Sequence, residues 1–207
     1  MARPSRIPLF PLDTVLLPGM QMPLHIFESR YKLMIGQCLG QRSEFGIILA
    51  AAKAIATLGC TAEILRKTKE YADGRMDILT EGRAVFRLNE LIDEKEYYEG
   101  AVEYVEDGPS SSDSGGDASL RETFERCHLL LFRRPWIDTA PHERMTLSYR
   151  MAGLLPMERE KRQALLEMRS EEDRRSLVLH WMGDFLTKLV ELERARQRAS
   201  GNGHGLN

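Results

Sequence analysis

A chain of 207 residues with 43% hydrophobic and 29% charged residues has the balance of a soluble globular protein, large enough to bury a core without disulfide or metal support. Its formal net charge of −2 excludes a general attraction to polyanions. Up to Ser119, 13 Lys and Arg stand against 18 Asp and Glu, and beyond it 16 stand against 13, a mild asymmetry that reads as solvated helix faces.

The chain opens with an unusual apolar stretch, PLFPLDTVLLPGMQMPLHIFE, from Pro8 to Glu28. Prolines at 8, 11, 18 and 23 keep it from forming a long helix, and only Asp13, His25 and Glu28 can carry charge. Arg3 and Arg6 imitate the start of a signal peptide, but the prolines and Asp13 interrupt the continuous apolar run that such a peptide needs. No run of about 18 apolar residues occurs anywhere, which excludes a membrane-spanning helix. The segment therefore reads as kinked strand pieces that bury Leu9, Val15 and Leu17. Met20 and Met22, beside the Pro18-Gly19 turn, have the best claim to exposure.

Phe27, Tyr31, Met34 and Cys38 recur at spacings of four, three and four, which builds one stripe of a short helix. Extended patterns follow. Phe45 to Ala50 is a short apolar run, and two longer runs flank Asp73-Gly74, a pair that predicts a tight hairpin with positive φ at both central residues. Ala84, Phe86 and Leu88 alternate with Val85, Arg87 and Asn89, the period of a strand, and Gly100 to Asp107 alternates again. Gly108 to Ala118, GPSSSDSGGDA, has little to bury and reads as a flexible linker.

Beyond the linker the pattern is helical. Ser119 and Glu122 form a capping-box pattern ahead of Leu120, Phe124, Cys127 and Leu131, and Pro135 ends that helix. Further helices are predicted from Glu143 to Leu155 and from Glu158 to Met168. The last opens at Ser170 with Asp173, where Val178, Met182, Phe185, Leu189 and Leu192 repeat at 4-3-4-3 spacing. About two heptads are too few for a coiled coil, so this stripe is read as packing within its own bundle. The expected division is a β domain over 1–107, a linker over 108–118, a helical bundle over 119–199 and a disordered tail over 200–207.

Catalytic and metal patterns are absent from the sequence. No lysine follows a glycine, which excludes a phosphate-cradling P-loop, and neither GxSxG nor HExxH occurs. Cys38, Cys60 and Cys127 are scattered without a CxxC and read as reduced thiols of a cytoplasmic protein. Among the five histidines only His25, in the proline-rich opening, stands out as a candidate for function. No metal ligand set and no cofactor are expected.

In chain order, LFPL (Leu9 to Leu12), VLLPG (Val15 to Gly19) and MPLHIFESRY (Met22 to Tyr31) lead to FGI at Phe45 and LGCTAEI (Leu58 to Ile64). DGRMDILTEGRAVFRL (Asp73 to Leu88), AVEYVED after Tyr98, LLPM at Leu154 and KRQALLEM at Lys161 complete the set. This ordered set resembles the Lon substrate-binding (Lon N-terminal) domain family from about Ile7 to Leu192. The resemblance implies an α+β fold, a PUA-like twisted β-barrel with one short helix followed by a C-terminal helical bundle. In full-length members this domain captures unfolded or tagged proteins, while separate ATPase and protease domains do the chemistry. Without a P-loop, the chain resembles a stand-alone member, and neither ATPase nor protease activity carries over.

The leading functional reading is a non-catalytic module that binds unfolded or exposed apolar protein segments, an adaptor in protein quality control with a AAA+ protease as partner in trans. The candidate binding residues are Met20, Met22, Pro23, His25, Phe27, Arg30 and Tyr31. Unbranched thioethers adapt to varied apolar partners, and proline rigidity limits the entropy lost on binding. For Met20, Met22 and Phe27, core and client-facing placements both stay open. The alternatives are an RNA-binding PUA-like protein, disfavoured by the acidic first half because phosphate contacts need Lys and Arg, and an enzyme of unrecognised type. No membrane partner is expected.

Overall fold

Pro8 and Pro11 lie within the first strand, β1 (Arg6–Leu12), where a missing N–H would normally break a ladder. The strand tolerates them because each half has one partner. Arg6 to Pro8 pairs antiparallel with β6 (Glu99–Tyr104), and Leu9 to Leu12 pairs parallel with β3 (Phe45–Ala51). The computed structural model describes residues 3–51, 54–108, 115–137 and 146–201. These divide into two compact units, one holding the described residues up to Gly108 together with 146 to Arg169, the other holding the remainder.

The first unit is built on a mixed six-stranded sheet in the order β2-β5-β4-β3-β1-β6, in which β5 also pairs with β6. The long strands β4 (Ala54–Glu70) and β5 (Met76–Ile92) carry it. The first part of β5 binds β2 (Gln21–Ile26) and its second part binds β6. Register shifts interrupt the β3–β4, β4–β5 and β5–β6 ladders, and such bulges add twist and bend. The sheet thus coils back on itself, but β2 stays outside the ring of pairings. The expected barrel is a twisted sheet of that kind and not a clean barrel.

The β4–β5 hairpin forms where Asp73-Gly74 predicts it, with a different turn. Only Gly74 has positive φ, at 79°. Gly74 N–H donates to the Tyr71 carbonyl at 2.9 Å, and Tyr71 N–H to the Arg75 carbonyl at 2.9 Å. This is a β-turn closed by a left-handed glycine, which leaves Asp73 free to accept from the Arg75 N–H at 3.1 Å.

Val15 to Leu17 belong to no strand, yet all three are buried. Pro18 and Gly19, φ 72°, form the centre of a type II turn closed by Met20 N–H on the Leu17 carbonyl at 3.0 Å. Gly19 N–H donates to the Gly82 carbonyl at 2.7 Å, and Gly82 N–H to the Met20 carbonyl at 3.0 Å. The turn is thereby tied to β5 just before β2 begins.

Helix α1 (Ser29–Gln41) buries Tyr31, Met34, Ile35 and Cys38. Phe27 does not extend that stripe as its spacing suggested. Glu28 is the extended N-cap, at φ −71° and ψ 138°, so the helical period starts after Phe27. The stripe packs with Phe10, Leu16, Met22, Ile26, Phe45 and Ile47 in one core cluster, while Ile7, Leu9, Ile48, Phe86 and Val102 form a second.

Two helices expected in a separate bundle belong to the sheet unit. Helix α3 (Leu147–Leu154) stops where Leu155 turns extended before Pro156. Its Gly153 lies so close to Met20 that an added Cβ would sit 3.2 Å from that side chain's Cβ. Helix α4 (Arg159–Glu167) is joined to β4 by Gln163 Nε2, which donates to the Leu58 carbonyl at 3.2 Å. Periodicity reveals an apolar face but not its partner, and for that reason the 119–199 grouping differs from the observed units.

The second unit, among the described residues, pairs α2 (Gly115–Phe132) with α5 (Glu171–Gly201). Leu120, Phe124 and Cys127 on α2 and Val178, Trp181 and Met182 on α5 are buried. Helix α2 begins before Ser119, so the capping-box pattern falls inside the helix. Ser170 does cap α5, its Oγ accepting from the Asp173 N–H at 3.2 Å. The stripe fades toward Leu192, which is exposed. Most of the expected linker, at 109–114, and the tail at 202–207 lie outside the described residues. Among the described residues all three cysteines are free and buried, and burial pushes the Cys127 thiol up to about 11. No helix among the described residues is long and apolar enough to cross a membrane.

Candidate functional site

Alternation along β2 sorts the opening stretch into two faces. Met22, Leu24 and Ile26 turn into the core cluster, whereas Gln21, Pro23 and His25 are exposed. Buried Thr80 of β5 fixes the strand by donating its hydroxyl to the Met22 carbonyl at 2.8 Å. Directly opposed residues share a face, so the registers define three outward rows across β4, β5 and β2. They are Glu63–Glu81–Gln21, Arg66–Leu79–Pro23 and Lys69–Asp77–His25. The shifts around Leu65 and Thr68 decide that Arg66 and Lys69 stand in these rows. Without the first, simple alternation from the half-buried, core-facing Ile64 would turn Arg66 inward.

The lower row carries the polar chemistry. His25 Nδ1 lies 2.5 Å from Asp77 Oδ1. The carboxylate can only accept, so Nδ1 holds the proton. The Tyr71 hydroxyl donates to Asp77 Oδ2 at 2.9 Å. The His25 ring stacks on Phe27 at 6.0 Å and meets the edge of Tyr71 at 5.7 Å. Lys69 Nζ sits 4.4 Å from the centre of the Tyr71 ring, and the Arg75 guanidinium 5.0 Å from it. The product is an aromatic corner, Phe27–His25–Tyr71, open to solvent and rimmed by cations. Phe27 is 59% exposed, which is high for so large an apolar side chain.

The hydrogen bond from His25, reinforced by that from Tyr71, holds the Asp77 carboxyl below the usual aspartate range. A depressed folded-state pKa stabilises the fold above the unfolded value of about 3.9, and this contribution is lost as pH falls through the lower folded value. His25→Ala is expected to raise the Asp77 pKa toward the ordinary range, and Tyr71→Phe to raise it less, by carbon-13 NMR titration of the carboxyl. An unchanged Asp77 titration in His25→Ala would remove the pair from the site.

Of the seven candidate residues, Pro23, His25 and Phe27 come together on this face. Met22 and Tyr31 are only 7% and 5% exposed and belong to the core, so they leave the candidate surface. Met20 is half-buried between the core cluster and Gly153. Arg30 is engaged with Glu28, its Nε donating to Oε2 at 2.9 Å, and lies over the Tyr31 ring. Sequence reading missed Arg66, Lys69, Tyr71, Asp77 and Leu79. His25 and Asp77 are 52 positions apart, and only the pairing register joins them. Among the described residues no group of three His, Cys, Asp or Glu side chains could hold a metal.

Residues 6–184 match the family of the ATP-dependent protease La (LON) substrate-binding domain. The chain is 24% identical to the Lon protease of Amoebophilus asiaticus over 92% of its own length and 24% of that protein. It is 26% identical to Lon protease 2 of Myxococcus xanthus over 85% of its length and 23% of that protein. The chain thus spans about a quarter or less of the curated relatives it matches. Among solved structures it matches a Lon N-terminal domain protein from Xanthomonas campestris with a TM-score of 0.68 and 27% identity, covering 86% of this chain and 99% of that one. The N-terminal domain of a Mycobacterium avium complex Lon protease matches with a TM-score of 0.64 and 18% identity, covering 86% and 98%.

Proposed function

The chain belongs to the family of the ATP-dependent protease La (LON) substrate-binding domain, and from that premise we propose that it is a non-catalytic module that takes exposed apolar segments of other proteins on the outward face of β2. The observation that carries this reading is Phe27, a large apolar side chain left more than half exposed and stacked on His25. Pro23 and Leu79 continue the apolar strip along the sheet. A rigid sheet face limits the ordering cost of binding, and an aromatic anchor supplies most of its energy. The role that follows is recognition in protein quality control, in the cytoplasm, with a AAA+ protease receiving the captured segment.

Phe27→Ala is expected to weaken binding of a fluorescently labelled, reduced and carboxymethylated globular protein by about tenfold or more. Its melting temperature should stay close to that of the parent, because the ring is outside the core. Met20→Ser with Met22→Ser is the contrasting variant. It removes a buried core side chain and is expected to cost about 2–5 kcal/mol of stability. Unaltered binding by Phe27→Ala would dismiss this face as the site.

A further inference from the structure

Resting on that reading, we propose that the face selects among apolar segments, preferring those in which an aromatic or aliphatic residue is flanked by carboxylates. Two parallel lines of side chains support this. Pro23 and His25, continued by Phe27, form the aromatic and apolar line at β2, and Arg66 and Lys69 form a cationic line two strands away on β4. Neighbouring strands lie about 4.8 Å apart, so the lines are separated by about 10 Å. A segment laid along β5 reaches both.

Among the described residues the cations of this line, Arg66 and Lys69, are not held in ion pairs, although Lys69 also lies over the Tyr71 ring. The carboxylates around them are occupied. Asp77 accepts from His25 and Tyr71, Glu70 from Lys67 and Asp73 from Arg75. Glu63 and Glu81 both pair with Arg83. Arg83 answers only one of the two charges of Glu63 and Glu81, and Asp77 stands opposite Lys69 in its own row, so the positive charge is local to Arg66 and Lys69 on β4 and is not a surplus of the whole face. Two cations suit a pair of side-chain carboxylates better than a polynucleotide, whose affinity comes from many phosphate contacts.

The test uses the full chain and three probes at low salt: short fluorescent peptides carrying phenylalanine flanked by glutamates, the same peptides with lysines instead, and a poly-uridine oligonucleotide. The glutamate peptide is expected to bind about tenfold more tightly than the lysine peptide. That advantage should shrink as salt rises. Arg66→Glu with Lys69→Glu should reverse the order of the two peptides, and Arg66→Gln with Lys69→Gln should erase the difference. Both positions are exposed, and circular dichroism melting checks that the variants fold. Equal binding of both peptides, with Phe27→Ala weakening both, would overturn the acidic preference and leave apolar recognition standing. Failure of both peptides to bind would overturn both readings. Tighter, salt-sensitive binding of the oligonucleotide than of the glutamate peptide would overturn the proposal in favour of a nucleic-acid site.

Discussion

Gly82→Ala is expected to lower the stability of the sheet unit by about 3 kcal/mol, near the upper end for overpacking. A Cβ at this position would meet the Leu17 carbonyl oxygen at 2.2 Å and its carbon at 2.9 Å. The obstacle is backbone, so no rotamer change relieves it. The turn at Pro18-Gly19 would have to move away, and its two hydrogen bonds with Gly82 would stretch with it. Because β2 starts directly after that turn, the shift would also disturb the row of Pro23 and His25. Gly36→Ala provides the opposite sign. Nothing lies within 4 Å of its added Cβ, and it sits inside α1, where alanine is better than glycine by about 1 kcal/mol. Urea midpoints read both effects. A parent-like midpoint for Gly82→Ala would show that the close approach at Leu17 is not a constraint on the fold.

Glu171→Ala is expected to destabilise the helical unit by about 3–5 kcal/mol. Arg174 is fully buried, and its NH2 and Nε groups donate to Glu171 Oε2 at 3.0 and 3.3 Å. Arg175 Nε donates to the other carboxylate oxygen at 2.9 Å, and Arg175 also pairs with Asp117 of α2 at 2.8 Å. Truncating Glu171 removes a buried counter-charge from a guanidinium that cannot give up its proton. It also takes an acidic group from the first turn of α5, where it complements the helix dipole. Replacing both members, Glu171→Leu with Arg174→Met, is expected to recover most of the loss, since apolar residues of similar volume pack without a desolvation cost. Thermal melting of the parent, single and double variants decides the matter. An undisturbed melting temperature in Glu171→Ala would mean that the pair contributes nothing to the unit.

The family features and much of the fold were legible along the chain because they rest on local rules. The prolines and Asp13 broke up the opening stretch, the alternation at Ala84 to Leu88 marked β5, and Asp73-Gly74 marked its hairpin. Ser170 marked the start of α5. The placement of Phe27 was misread, since spacing alone cannot show that Glu28 ends the extended segment and begins the helical one. Met22 illustrates the same limit on a strand. Its type suited either face, and only pairing with Thr80 of β5 placed it in the core.

What the sequence determined by itself was the type and order of elements, together with the pool of residues from which a site could be drawn. The register between β4, β5 and β2 belonged to the tertiary structure, and with it the meeting of His25, Asp77 and Tyr71 and the placing of Arg66 and Lys69 on the outer face. The reason is physical. Side chains alternate with a period of two, so a single extra residue at Leu65 sends the side chains that follow it to the opposite face until the next shift at Thr68, and pairing with a distant strand determines where such residues fall.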